Sequence, residues 1–492
     1  MSHLLALDLG TSSVKAVVIN QDAHCLAAAA QEYPLLAAQP GWAEQEPEQW
    51  WQAAVQAAGT ALAQAGHPAI AAIGLSGQMH GTVLVDAAGR ALGRAITWAD
   101  QRSAAQSAQF NERIGAARLA AIAGTAPAAG FLGPTLLWLQ HHDPARLAAA
   151  HTCLLPKDYL RLRLTGEPAT EATDASATAL FDVRRRTWSL EIVQALELPA
   201  HLLPRLIEPS EVAGTLRPAA AAALGLPAGI PVAAGCADQA AQALGNGLMQ
   251  PGQGSVTIGS GGQVFLPLAV PRGDPLGRLH TFCHAPADRW YLLGAMLTAG
   301  LSLRWLRDLL GWQGAPDAYQ RLAMLAAATP PGADGLLFLP YLAGERSPLM
   351  DPQARGAFVG LTLQHGPGHL ARAIMEGVAF ALRQILAVMG EMQPLPQQLL
   401  AVGNGLAAPV WRQITADVLG CPLLLPAGRE QAGVGAGLLA GIAAGLYADY
   451  TAAQQILPPP NEATWPQPGL VALYADHYAR FCTLYPALHR GN

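Results

Sequence analysis

The sequence predicts an α/β protein of two domains built on mixed sheets. Three observations predict it: a length of 492 residues, an apolar hairpin opening each half, and strands alternating with helices after each hairpin. Domains cluster near ~100–200 residues, so this length calls for two or more cores. Hydrophobic residues make up 51% and charged residues 13%, which favours large folded cores over disorder.

The first hairpin lies in residues 4–19, LLALDLGTSSVKAVVI. Leu5, Leu7 and Leu9 alternate on one arm, and Val14, Ala16 and Val18 on the other, around a GTSS turn. Period two on both arms is a strand signature. The pattern returns at SVTIGSGGQVFLP, residues 255–267, and suggests a duplicated plan. Between the hairpins, EPEQWWQAAVQAAGTALAQA predicts a helix from near Pro47. IAAIGLS predicts a buried strand and TVLVD its partner. GPTLLWLQHH predicts a helix, and PVAAG a short strand running into the helix ADQAAQALG. In the second half, residues 370–389 predict a long helix, QQLLAVGNG a strand ending in a glycine turn, and PVWRQITADVLG a helix. The Gly/Pro-punctuated GNGLMQPGQG, residues 245–254, marks the boundary and divides the chain into 1–246 and 247–492.

Composition narrows the function classes. The net charge is -5 and no basic block occurs, so nucleic acid is not an expected partner. Cys25, Cys153, Cys236, Cys283, Cys421 and Cys482 lie far apart without a CxxC pair, which indicates neither zinc nor a disulfide framework and fits a reducing cytoplasm. The segment MSHLLALDLG has no basic region or cleavage site. The apolar run at residues 432–447 is Gly/Ala-rich and shorter than a bilayer span of ~20 residues, so a tightly packed helix is expected there and no membrane segment.

The chemistry is carried by short motifs. Asp8-Leu9-Gly10-Thr11-Ser12-Ser13 puts a carboxylate at the mouth of a turn whose small residues offer N–H groups and hydroxyls to an anion. An acid beside a phosphate cradle is reconciled by a cation, and Mg²⁺ held by Asp8 through water fits. The ordinary alternative is a hairpin whose own Asp and Thr satisfy the turn. Gly259-Ser260-Gly261-Gly262 gives a second turn of the same kind; taken singly it suits a flexible hairpin, but one cradle per half suits a triphosphate. In Ala237-Asp238-Gln239, Asp238 falls at a helix start. An N-cap and a general base that orients an acceptor hydroxyl both fit it.

Gly77-Gln78-Met79-His80-Gly81 supplies polar groups from Gln78 and His80 and an apolar wall from Met79, the mixture a sugar needs; its glycines let the loop approach a ligand. A surface turn with a solvated histidine is the alternative. Trp98 and Asp100 pair an aromatic face with a carboxylate, as sugar sites do, or form a partly buried Trp beside a surface ion pair. Gly403-Asn404-Gly405 ends a strand where phosphate or adenosine contacts are common. The glycines of EQAGVGAG, residues 430–437, let a helix approach a nucleotide or a neighbouring helix. No Walker A lysine motif occurs, and no strand–GxGxxG–helix unit opens the chain.

Along nearly its whole length the chain resembles the FGGY carbohydrate kinases. The resemblance is carried by LALDLGTSSVKAVV, the W-x-E-Q-x-P-E-Q-W-W run at 42–51, SGQMHG, ITWADQR, LLPKDYLRLRLTGE at 154–167, GCADQAA, FLPYLAGERSP at 338–348 and the RAIMEGVAFAL helix. SGQMHG followed by LLPKDYLRLRLTGE is similar to the xylulose-type branch of that family. The resemblance implies an α/β fold of two actin-like (RNase H-like) ATPase domains with an active-site cleft between them. It implies ATP-dependent phosphorylation of D-xylulose to D-xylulose 5-phosphate. A kinase of another ketopentose or polyol is the alternative within the family, and an actin-like nucleotide sensor the alternative outside it.

The same resemblance implies site roles. Asp238 would take the proton of the sugar hydroxyl, and Asp8 would organise the Mg²⁺–phosphate end. Gln78, Met79 and His80 would bind the sugar, with Asp100 and Gln239 nearby. Thr11, Ser12, Gly259, Ser260, Gly403 and Asn404 would face ATP, and a homodimer is implied by analogy. Four positions depart from the pattern. Gln239 stands where the xylulose-type branch usually has Asn, Ser260-Gly261 where it has Thr-Ser, Thr135 where it has Lys, and Asn404 where it has Gly.

Overall fold

A computed structural model describes residues 2–428 and 430–489. Both expected hairpins form. β1 (His3–Leu9) and β2 (Ser13–Asn20) pair antiparallel, and β3 (Cys25–Glu32) extends the meander. Helix α1 (Pro47–Gln64) begins on a proline, whose missing N–H is harmless in the first turn. It buries a stripe of Trp50, Ala53, Ala54, Ala57, Ala58 and Ala61. β4 (Ile70–Gly77) then lies parallel to β1. β5 (Val212–Thr215), β6 (Pro231–Ala233) and β7 (Cys236–Ala237) complete the first sheet, ordered β5-β6-β4-β1-β2-β3 with β7 also on β4.

Helix α2 (Asp238–Gly245) follows directly. The second sheet contains β8 (Ser255–Ile258), β9 (Gly262–Leu268), β10 (His280–Cys283) and β11 (Trp290–Met296). The long helix α3 (Pro367–Met392) leads to β12 (Leu399–Val402) and β13 (Leu423–Leu425). After helix α4 (Gln431–Ala443), β14 (Glu462–Thr464) closes the edge. The order is β10-β11-β9-β8-β12-β13-β14.

The duplication suggested by the hairpins is a duplication of sheets. With β10 set aside, β11-β9-β8-β12-β13-β14 repeats the pairing of β3-β2-β1-β4-β6-β5. In each, the contacts run antiparallel, antiparallel, parallel, parallel, antiparallel. The last strand arrives by a different route, since β5 precedes β6 in the chain whereas β14 follows β13.

One expected pairing differs. Val83–Val85 of TVLVD pairs with Thr152–Leu154 and not with β4. Both edges of β4 are already taken, one by β1 and the other by β6 and β7.

The glycine-rich helix α4 comes from the second half of the chain but packs on the first sheet and on α2. A Cβ on Gly74 of β4 would sit 1.9 Å from the Ala436 carbonyl oxygen, and one on Gly435 would sit 1.9 Å from that of Ala241. These glycines therefore serve the approach of backbone to backbone. A shared apolar cluster joins the two sheets through these helices: Cys236, Phe265, Leu293, Ala240, Leu244 and Leu439 all belong to it. Among the described residues, α3 is the one helix long and apolar enough to cross a bilayer, and 78% of its apolar window is buried in the protein.

Candidate active site

The site is assembled where parallel strands end together. In register, Leu9 of β1 lies beside Gly77 of β4, and Gly77 beside Ala237 of β7. The residues that follow these strand ends are the Gly10–Ser12 turn, Gln78 and Asp238. Parallel strands thus bring positions 8, 78 and 238 together, the usual place for a ligand in such sheets. Asp8 sits one residue before its strand end, beside Ser76, whose hydroxyl donates to it. Burial raises the pKa of Asp8, partly offset by Ser76 and by Lys15 on β2.

A cavity of about 150 Å³ opens here, between the two sheets. From the first half it is lined by Thr11, Gln78, Met79, His80, Trp98, Asp238 and Gln239, and from the second by Gln263, His280 and Arg346 among others. Thr11 is held twice: its carbonyl accepts from Gln45 Nε2 at 2.6 Å and its hydroxyl from Trp98 Nε1 at 2.9 Å. Gln45 Oε1 accepts from both Gln78 Nε2 and Trp50 Nε1, which fixes the orientation of the Gln78 amide. The other end of that amide, Gln78 Oε1, is buried without a partner among the described residues.

His80 has φ +72° and stacks on Phe131 with ring centroids 3.9 Å apart. Its Nδ1 lies 2.7 Å from the Ala177 carbonyl, so Nδ1 carries the proton and donates. Burial lowers its pKa to about 3, which leaves Nε2 a free acceptor. His280 is arranged in the same way. The Thr125 hydroxyl donates to the Ala126 carbonyl, so His280 Nδ1 must donate to Thr125 Oγ1, 2.7 Å away. Burial lowers this imidazole to about 3 as well. Arg346 is the cationic group of the cavity, 5.6 Å from the Trp98 ring centre.

Asp238 is not a helix cap. Ala237 occupies the cap position of α2, and Asp238 is the first helical residue. Its Oδ1 is buried without a partner among the described residues. Burial, and then the charge of Asp8, push its pKa from 3.8 up to about 7. A carboxyl poised near neutrality in a cleft is suited to moving a proton at physiological pH.

Other expected residues lie elsewhere. Asp100 is fully buried away from the cavity lining. It accepts from the Ala43 N–H at 2.6 Å, from the Arg102 N–H at 2.9 Å, and from the Arg102 guanidinium. Arg102 also pairs with Glu44 and lies over the Trp42 ring, 3.5 Å from its centre. This ion pair is interior, unlike the surface pair that the motif allowed. Gly77 and Gly81 serve packing: a Cβ on either would meet Lys157 or Pro156 at 3.0 Å.

Ser12 is exposed at the tip of the first turn. Gly259, Ser260, Gly403 and Asn404 gather at the ends of the parallel strands β8 and β12. Gly403 has φ +88°, and a Cβ there would sit 2.5 Å from the Ile258 carbonyl oxygen. The Gly259 and Ser260 carbonyls accept from the N–H groups of Gly300 and Leu301, so a helix start borders this exposed turn cluster.

Several cavity residues escaped the sequence reasoning. Arg346 lies within FLPYLAGERSP, a motif with no role attached to it. Its neighbour Glu345 is buried, with Oε2 unpartnered among the described residues and its pKa pushed up by burial to about 8. Gln263 and His280 stand in ordinary strand sequence, and only the fold brings them to the cleft.

Comparison with known proteins identifies the family and agrees with the fold. The model for the N-terminal domain of the FGGY family of carbohydrate kinases matches residues 3–245, and that for the C-terminal domain matches 254–444. The chain belongs to the FGGY family. As an FGGY kinase it is an ATP-dependent carbohydrate kinase with a two-domain, actin-like α/β fold. It is 41% identical to a xylulose kinase of Escherichia coli (strain K12) over 421 residues, 85% of this chain and 84% of that one. It is 38% identical to a xylulose kinase of Klebsiella pneumoniae over 490 residues, 98% and 99% of the two chains. The crystal structure of xylulose kinase from Rhodospirillum rubrum superimposes on this FGGY kinase with a TM-score of 0.90 at 32% identity, covering 99% of each chain.

Proposed function

We propose that this FGGY kinase transfers the γ-phosphoryl group of ATP to the terminal hydroxyl of D-xylulose, with Asp238 as general base. The observation that carries the sugar reading is the set of unpartnered acceptors in the cavity. Asp238 Oδ1 and Gln78 Oε1 lack partners among the described residues, and the neutral His80 and His280 rings present Nε2 lone pairs. Buried acceptors are costly unless donors reach them, so the fitting ligand is small and rich in O–H groups. Met79 and Phe282 supply the apolar wall against which a sugar's C–H faces pack.

In this mechanism the acceptors hold the sugar so that one hydroxyl reaches Asp238. Asp238 takes its proton as the oxygen–phosphorus bond forms and the bond to the leaving ADP oxygen breaks. Arg346 balances the charge brought into the cleft. Closing the cleft excludes water and suppresses idle ATP hydrolysis. The exposed turns at 259–260 and 403–404 face the nucleotide. On this reading residues 1–246 carry the sugar loop and the base, and residues 247–492 the nucleotide turns.

The residues also fit Mg²⁺. Among the described residues no cluster of three His, Cys, Asp or Glu side chains forms, so a cage of protein ligands is absent. Asp8, aided by water and phosphate oxygens, is the kind of sparse oxygen site that Mg²⁺ accepts. When bound, the ion would offset phosphate charge. All six cysteines are unpaired, which supports a cytoplasmic place of work.

The test is a panel of ketopentoses, ketohexoses, polyols and aldonates, read as kcat/KM with ATP. D-xylulose should lead. A polyol or another ketopentose ahead of it would reassign the substrate, and Gln239 beside the base is the residue to which such a change would be traced.

A further inference from the structure

A cluster of fully buried charge packs against the segment that carries Asp238. Lys157, Asp158, Arg161, Glu171 and Asp174 are all 0% exposed. Lys157 Nζ lies 2.6 Å from Asp158 Oδ1, 3.3 Å from Asp174 Oδ2 and 3.4 Å from Glu171 Oε1. Glu171 in turn caps the short helix Ala172–Ser176. Its carboxylate accepts from the Thr173 N–H at 2.6 Å and the Asp174 N–H at 3.0 Å. It also accepts the Thr173 hydroxyl at 2.8 Å. That commits the single hydroxyl proton of Thr173 to Glu171, so Thr173 Oγ1 can only accept elsewhere. It accepts from the Ala237 N–H, at 2.8 Å.

Ala237 is the cap position from which α2 starts, and Asp238 is the next residue. In the sheet, Ala237 pairs with Gly77 of β4. The direction of the Asp238 side chain is set by the backbone at this junction, and Thr173 is the side chain that grips it. A plain hydroxyl or a water would satisfy one buried N–H. The structure instead anchors that hydroxyl on a buried carboxylate held by a buried ammonium. Buried ion clusters contribute little net stability, and their best-attested use is to enforce one arrangement. The β-branched Thr173 adds a stiff χ1 to that arrangement.

We propose that Thr173, held by Glu171 and Lys157, is the positioning residue that aims the Asp238 carboxylate at the reacting hydroxyl. This rests on Asp238 being the base. The titratable and charged groups facing Asp238 are Asp8 on β1, Cys236 on β7, Tyr291 on β11 and, around the cavity, His80, His280 and Arg346.

The test compares Thr173→Val, Thr173→Ser and Asp238→Asn in the full-length enzyme. It reads kcat, KM for D-xylulose and for ATP, the pH profile of kcat and the thermal midpoint. Thr173→Val should lower kcat by about tenfold or more, the rate equivalent of one lost buried hydrogen bond. Both KM values should stay within about twofold, and the acid limb of the profile should move. Thr173→Ser keeps the hydroxyl and should recover most of kcat. Equal losses in the Val and Ser variants overturn the proposal, as does a Val variant that loses only thermal stability. If Thr173→Val does not fold, Thr173→Cys, nearly the shape of serine but a weak acceptor, makes the same comparison with Ser. Asp238→Asn with wild-type kcat removes the base and the proposal with it. An inactive Asp238→Asn beside an unaffected Thr173→Val overturns the positioning role alone.

Discussion

Replacing Asp238 with Asn separates the catalytic from the structural consequences of one buried charge. The carboxyl is held near a pKa of about 7, against an ordinary 3.8, by burial and then by Asp8. The folded state therefore binds this proton more tightly than the unfolded state does. Between those two values the unfolded chain has lost the proton and the folded chain retains it, so stability falls as pH rises. It is unaffected below about pH 4, and the penalty is complete above about pH 7. A shift of about 3 units corresponds to about 4 kcal/mol at neutral pH and roughly half that near pH 5. Asparagine cannot ionise, so Asp238→Asn should be more stable than the wild type at pH 7.5 by a few kcal/mol, with the gap closing towards pH 4. Urea unfolding of both proteins at several pH values measures this difference directly. The variant should lose about 10²–10⁴-fold in kcat, the usual contribution of a general base. A stability difference that does not change between pH 4 and 7.5 would refute the assignment of the raised pKa. Full turnover by the folded variant would refute the assignment of the base.

Two further outcomes follow from the packing. Asp100→Asn should cost about 2–3 kcal/mol in unfolding free energy, because it leaves the buried Arg102 guanidinium with Glu44 as its remaining carboxylate partner, and it should leave KM for the sugar unchanged. A tenfold rise in KM at unaltered stability would return Asp100 to the sugar site. Gly435→Ala should lower stability by about 3 kcal/mol, the upper end of the overpacking range, because the new Cβ meets a helix carbonyl and not a movable side chain. A thermal midpoint within a degree or so of wild type would show that α2 and α4 separate easily.

The hairpins, α1, α3 and the strands ending at Gly77 and Gly403 were legible because period-two and period-3.6 patterns are local properties of the chain. So was part of the cavity lining, since Gln78, Met79, His80 and Asp238 sit in short motifs. Strand partnership was less legible. TVLVD reads as a strand, but nothing in it says that β4 has no free edge. The same limit applies to Asp100, whose motif suits a sugar equally well until its lone pairs are seen to be filled by Ala43 and Arg102.

Neighbouring residues alone specify the alternation of strands and helices, the duplicated hairpin and the residue types of the loop at 77–81, because each of these is a local pattern. Tertiary packing settles which carboxylate is a cap, which is an ion-pair hub and which is buried in the cavity with a raised pKa. Those distinctions depend on burial and on partners far away in the chain: Asp8 raises the pKa of Asp238 only because β1 and β7 flank β4, and His280 and Arg346 meet the loop at 77–81 only because two sheets close on one cavity. A carboxyl's chemistry is set by the dielectric and the charges around it, and no local pattern records either.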